Sequence, residues 1–181
     1  ELSNLVNIAA VMAASENAKA VTNRNLDEAL DRILMGTERK SAVMPEQVRK
    51  VTAFHEGGHA LVALRTDGAM PVHKATIVPR GHALGMVQQL PEEKDSIQMT
   101  KKQMIATMDI LMAGRVAEEL IFGADNVTSG ASSDLVKATR LARDMVSTYG
   151  MMPGSPVGLE VVSDQSSGET KRLVDIEVRT L

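Results

Sequence analysis

Residues 55–59 read HEGGH, and their types and spacing are the first place to look for chemistry. On a helix, His55 and His59 project from one face about one turn apart. With Zn–N bonds of about 2.0–2.1 Å, two imidazoles so placed can meet on one tetrahedral ion without bending the helix. Glu56 lies about 100° around the helix from His55. It is poorly placed to ligate, yet it can reach a water at the metal's open position. That is the division of labour in H-E-x-x-H hydrolases: two histidine ligands and a glutamate that takes a proton. The plainer reading is a chance pattern of packed or solvated histidines. Against it, Val48, Val51 and Val62 share the histidine stripe, which predicts that the ligand face is buried, and buried imidazoles without partners are costly. Gly57 and Gly58 each cost roughly 1 kcal/mol relative to alanine inside a helix. Either they clear space beside the ligands for backbone or substrate, or they allow close helix packing.

A catalytic zinc site takes a third protein ligand and leaves the fourth position open. A metzincin would need glycine at position 62 and histidine at position 65; Val62 and Arg65 stand there, so that subclass is excluded. The other histidines, His73 and His82, lie near Pro71 and Pro79 beside the strand run and read as exposed turns, which makes them minor ligand candidates. Two carboxylates remain. Gly114 and Glu118 form a G-x-x-x-E spacing that resembles the third-ligand helix of gluzincins. Asp134 opens a helix after a run of small residues, where the helix dipole keeps a carboxylate ionised, as a ligand must be. The plainer readings are a solvated helix face for Glu118 and Glu119 and a first-turn capping acid for Asp134. Spacing alone leaves both open.

The elements that must position these groups are legible in outline. The chain is 44% hydrophobic and 24% charged, enough for a real core. With two Phe, one Tyr and no Trp, packing falls to twelve Met and many Val, Leu and Ala, which favours helices. A net charge of −3 supplies no basic field for nucleic acid, and the absence of cysteine excludes a thiolate nucleophile or a Cys-ligated metal. No apolar run approaches the ~18 residues of a membrane span. Both ends stop in helical pattern, so the sequence reads as a piece of a longer polypeptide, cut short at its C-terminus. A helix is predicted over 1–16, then a second capped by Thr22 or Asn23 and ended by Gly36. Residues 37–45 read as a linker with a boundary near 40, followed by a helix from Pro45 to about Arg65. "HKATIVPRG" and "ALGMVQQLP" read as two strands broken by Pro79, Arg80 and Gly81. A helix follows with Met104, Ile105, Met108, Leu111, Met112 and Val116 inward. Another is capped by Ser132 or Ser133 and ended by Gly150, and residues 151–167 read as loop. The expected fold class is mainly α (α+β): a helical domain with a small β-sheet.

Four stretches, "TAFHEGGHALVAL", "HKATIVPRGHALGMV", "AGRVAEELIFG" and "TSGASSDLVKATRLARDMVSTYGM", together resemble the peptidase domain of the FtsH family of membrane-anchored AAA+ metalloproteases. The resemblance implies zinc as cofactor, held by His55, His59 and Asp134, with Glu56 as the catalytic base that activates a zinc-bound water. It implies that Glu118 orients a ligand histidine. Residues 37–181 would be the metallopeptidase domain and residues 1–36 the end of an AAA+ ATPase lid. ATP and Mg2+ would act only through an ATPase module, since no G-x-x-x-x-G-K-[ST] occurs here. The implied activity is ATP-dependent degradation of unfolded or misassembled membrane proteins by a hexamer. The wording of "HKATIVPRG" and "LGMVQQLPEEKD" resembles the mitochondrial i-AAA branch, at the inner membrane with its catalytic face in the intermembrane space; a chloroplast thylakoid or bacterial inner membrane is the alternative. Two other readings stand beside this one. The scaffold could be a non-catalytic assembly or adaptor module, or a gluzincin-like peptidase with Glu118 as third ligand.

Overall fold

The computed structural model describes residues 1–181 apart from 40, 42, 82, 91–97, 153 and 164. Among the described residues there are six α-helices and one two-stranded sheet, as the mainly α expectation requires. They are α1 (Leu2–Ser15), α2 (Asn23–Met35), α3 (Glu46–Arg65), β1 (Val72–Thr76), β2 (Met86–Gln89), α4 (Lys101–Phe122), α5 (Ser132–Ser147) and α6 (Gly168–Thr180). The sheet packs on α3 and α2. No helix among them is long and apolar enough to cross a membrane.

Local chemistry sets most of the boundaries. Thr22, not Asn23, caps α2: its side chain accepts from the Asn25 amide while the Asn25 side chain returns a bond to the cap. Gly36, at φ 83°, takes the chain out of that helix. Thr100 and Gln103 form the same reciprocal cap on α4. Pro45 sits just before α3 rather than in its first turn. The expected serine cap of α5 is absent: Ser132 and Ser133 are already helical, because a 3₁₀ turn at Ser129–Ala131, itself capped by Thr128, runs straight into the helix.

The strands are shorter than expected. β1 and β2 pair antiparallel, with Val72 opposite Gln89 and Thr76 opposite Met86. Beyond them Arg80 and Ala83 are held together by mutual backbone bonds of 3.0 and 2.9 Å. Residues 37–39 are no free linker. Glu38 bridges to Arg80, and the Arg39 amide donates to the Pro79 carbonyl at 2.9 Å.

Packing is built on small residues and methionine. α3 closes on α4 where Gly58 meets Ala113 and Ala117. α4 meets α5 through Met104, Met108, Ala142 and the fully buried Met145, and α5 meets α6 through Val146, Val157 and Val174. Met104 and Met108 point inward as expected, whereas Met112 and Val116 are exposed. The buried face of α4 runs instead through Ala106, Ile110, Ala113, Gly114 and Glu118. Hydrophobic periodicity weighs bulk, but a close helix contact selects residues that have little of it.

Candidate metal centre

α3 delivers both histidines to its buried stripe, Thr52, His55, His59 and Ala63. The valines expected to mark that stripe lie beside it: Val48 is exposed and Val51 and Val62 are half-buried. Val48 and Val51 instead line a cleft of about 1080 Å3 that the histidines border. The histidine stripe is thus core at one end and cleft wall at the other.

Each imidazole is fixed from behind. The His59 Nδ1–H donates to the Ile110 carbonyl at 2.5 Å, and that oxygen can only accept. The His55 Nδ1–H donates to Glu118 Oε1 at 2.7 Å. Glu118 is 1% exposed, and its other oxygen accepts the Thr128 amide at 2.8 Å. Both neutral rings therefore carry the proton on Nδ1 and turn an Nε2 lone pair forward. Those two Nε2 atoms stand 3.1 Å apart, and Asp134 Oδ2 lies 3.4 Å from one and 3.5 Å from the other. Asp134 arrives in the first turn of α5.

Three acceptors so converge with no donor among them, an arrangement that calls for a cation. The spacing fits one: donor atoms of a tetrahedron with bonds of about 2.0–2.1 Å stand roughly 3.3–3.4 Å apart. The electrostatics agree. Burial works against the charged form of Asp134, yet the two histidines hold its carboxyl well below the usual carboxylate range. Asp134 raises the His55 imidazole above its ordinary value, burial pulls it back, and Glu118 adds to the rise. Burial pushes the Glu56 carboxyl up, with His59 and His55 opposing, so its affinity for a proton is raised.

Residues 42–181 match peptidase family M41. The chain belongs to this family. It is 52% identical over 178 residues to the ATP-dependent zinc metalloprotease FTSH 11, chloroplastic/mitochondrial, of Arabidopsis thaliana, covering 98% of this chain and 22% of that protein. It is 51% identical over 194 residues to ATP-dependent zinc metalloprotease FtsH of Caulobacter vibrioides, covering 100% of this chain and 31% of the relative. Against the mitochondrial inner membrane i-AAA protease supercomplex subunit YME1 of Saccharomyces cerevisiae it is 50% identical over 179 residues, 98% of this chain and 24% of the relative. The chain thus spans between a fifth and a third of the length of these relatives.

In this M41 domain, His55, His59 and Asp134 form the one group among the described residues with metal-ligand geometry. Glu118, weighed above as a third ligand, is not at that corner: both of its oxygens are spent on His55 and Thr128. His73 is in β1, not in an exposed turn, and faces Asp31 at 3.7 Å; His82 lies outside the described residues. Two glycines matter in ways the sequence did not announce. A Cβ on Gly114 would stand 2.6 Å from His55 Nε2 and from His59 Nε2. A Cβ on Gly85 would stand 2.6 Å from Glu56 Cγ. The G-x-x-x-E spacing drew attention to Gly114 for the wrong partner, and nothing in the sequence marked Gly85. Of the helical pair, Gly58 serves packing, its absent Cβ leaving room for the Ala113 carbonyl, while Gly57 faces open space.

Proposed function

We propose that this domain is the proteolytic part of an ATP-dependent zinc metalloendopeptidase, with His55, His59 and Asp134 as zinc ligands and Glu56 as catalytic base. The observation that carries the reading is the convergence of three donor atoms, 3.1 to 3.5 Å apart, at the wall of a cleft that Glu56 shares. Bound there, zinc would supply Lewis acidity, polarising a carbonyl and lowering the pKa of water toward about 7. Glu56 would accept the proton of the attacking water and return it to the leaving amine. Glu118 would hold His55 in the tautomer that ligates, and the Ile110 carbonyl would do so for His59.

β2 pairs with β1 on one side only among the described residues, and the stretch 83–87 lines the cleft. An extended peptide added along this edge would be held by main-chain bonds that tolerate many sequences. The longer relatives support placing residues 1–36 at the end of an AAA+ lid and residues 37–181 in the peptidase domain. ATP and Mg2+ would then act through an ATPase module beyond this sequence. The proposed assembly is a hexamer and the proposed substrates are unfolded or misassembled membrane proteins, as the resemblance of the four sequence stretches implies. On the wording of residues 73–81 and 84–95 we place it at the mitochondrial inner membrane with the catalytic face toward the intermembrane space, a thylakoid or bacterial inner membrane being the alternative. Relatives named for mitochondrial, chloroplastic/mitochondrial and Caulobacter proteins match at 50–52% identity. The test is Glu56→Gln in the full-length protein, which should bind one zinc per chain yet leave an unfolded casein-like substrate intact. Equal cleavage by wild type and variant would remove the glutamate from catalysis, and a zinc-free, inactive wild type would leave a non-catalytic scaffold.

A further inference from the structure

Arg80 is 6% exposed, far more buried than an arginine needs to be. Its Nη1 donates to the Gly36 carbonyl at the end of α2 at 2.8 Å, and its Nη2 to Glu38 Oε1 at 2.6 Å. Its Nε is buried with no partner among the described residues. A buried, incompletely satisfied guanidinium is a poor source of stability: well-packed hydrophobic side chains often replace such a pair at no loss. Its place in the chain is more informative. Arg80 exchanges backbone bonds with Ala83, and two residues further Gly85 lies against Glu56 and Thr52, where a Cβ would be 2.6 Å from Glu56 Cγ and 2.9 Å from Thr52 Cγ2. Arg80 is therefore pinned to the α2 exit and bonded to Ala83, while Gly85, two residues beyond Ala83, lies against Glu56. A second tie runs parallel to it: buried Asp31 of α2 pairs with Lys74 of β1, the strand that carries β2.

We propose that Arg80 is a positioning residue for Glu56. By tying Ala83 to Gly36 and Glu38 it sets Gly85 against the glutamate and confines its carboxylate beside the metal centre. The position of the base thereby depends on how the α1–α2 hairpin is seated. The inference rests on the proposed role of Glu56. None of the three metal-binding side chains touches Arg80, so binding of zinc and alignment of the base are separable.

The experiment compares Arg80→Met, Arg80→Lys and the double variant Arg80→Met/Glu38→Leu in the full-length protein. Zinc content, thermal midpoint, and kcat and KM on a short unstructured peptide are read for each. The expected result for Arg80→Met is one zinc per chain, with kcat lower by about 10- to 100-fold, the scale for misplacing a catalytic group by an ångström, and KM little changed. Arg80→Lys should recover part of kcat. The double variant should regain any stability lost while kcat stays low, which a purely structural role would not give. Wild-type kcat in Arg80→Met overturns the inference, as does a kcat that returns in the double variant together with stability. Glu56→Gln separates the two claims: activity retained there sinks the base itself, whereas an inactive Glu56→Gln beside a fully active Arg80→Met sinks only the positioning role.

Discussion

Gly114→Ala places the sharpest demand on the metal centre. The added methyl would lie 2.6 Å from His55 Cε1 and from both Nε2 atoms. Carbon prefers non-bonded neighbours about 3.5–4.0 Å away, so roughly 1 Å must be found. The rings have nowhere to retreat, since His55 is bonded behind to Glu118 and His59 to the Ile110 carbonyl. Moving α4 away from α3 instead would undo the Gly58 contact with Ala113 and Ala117. Overpacking of this kind costs about 1–3 kcal/mol of stability. The effect on metal is larger in proportion, because ligand distances must hold to within about 0.2 Å. Loss of a mere supporting bond weakens metal affinity ~10- to 100-fold, so direct displacement of both ligands should cost at least ~100-fold. Competition against a fluorescent zinc chelator measures it, with Gly57→Ala as the control. Gly57 meets nothing within 4 Å, so its alanine should leave affinity unchanged and stabilise the helix by about 0.5–1 kcal/mol. Zinc affinity in Gly114→Ala within threefold of wild type would refute the reasoning.

Other perturbations separate the parts of the site. Gly85→Ala should retain zinc but lose turnover, since the atoms its methyl would meet first belong to Glu56 and Thr52; parallel loss of zinc and activity would contradict this. Glu118→Gln should weaken zinc binding ~10- to 100-fold by removing the charge behind His55, measured by the same competition titration, and unaltered affinity would deny the carboxylate its orienting role. Acid should release the metal. In the metal-free fold His55 is raised above 6.5, so its stabilising contribution is full below that value and fades as pH rises through the raised one. Asp134 is depressed below 3.8, so its contribution is present above that value and is lost as pH falls through the depressed one. Zinc must displace the His55 proton, so calorimetric affinity should climb from acid pH until that histidine is neutral; an affinity flat with pH would contradict the assignment.

What the sequence revealed, and what it hid, follows from locality. The i, i+4 histidines and the helix boundaries at Thr22 and Gly36 are short-range features, and each is where the residues indicate. Asp134 was one of two carboxylate candidates by spacing, and only the family resemblance separated them. The structure does so physically, because Glu118 sits one layer behind His55 and is filled from the far side by Thr128. Val48, Val51, Met112 and Val116 were misplaced because an apolar side chain can line a cleft or an outer face as readily as a core. Gly85 and Arg80 were illegible: one matters through a contact 29 residues away in sequence with Glu56, the other through Gly36, 44 residues away. No periodicity encodes such pairings.

Which atoms surround the metal decides whether this is a zinc peptidase site. A crystal structure of the zinc-loaded protein, with the ion identified by anomalous scattering at the zinc edge, measures that directly. The expected result is one zinc bound by His55 Nε2, His59 Nε2 and an Asp134 oxygen at about 2.0–2.2 Å. A zinc held by Glu118, or an Asp134 carboxylate turned away from the two imidazoles, would contradict it.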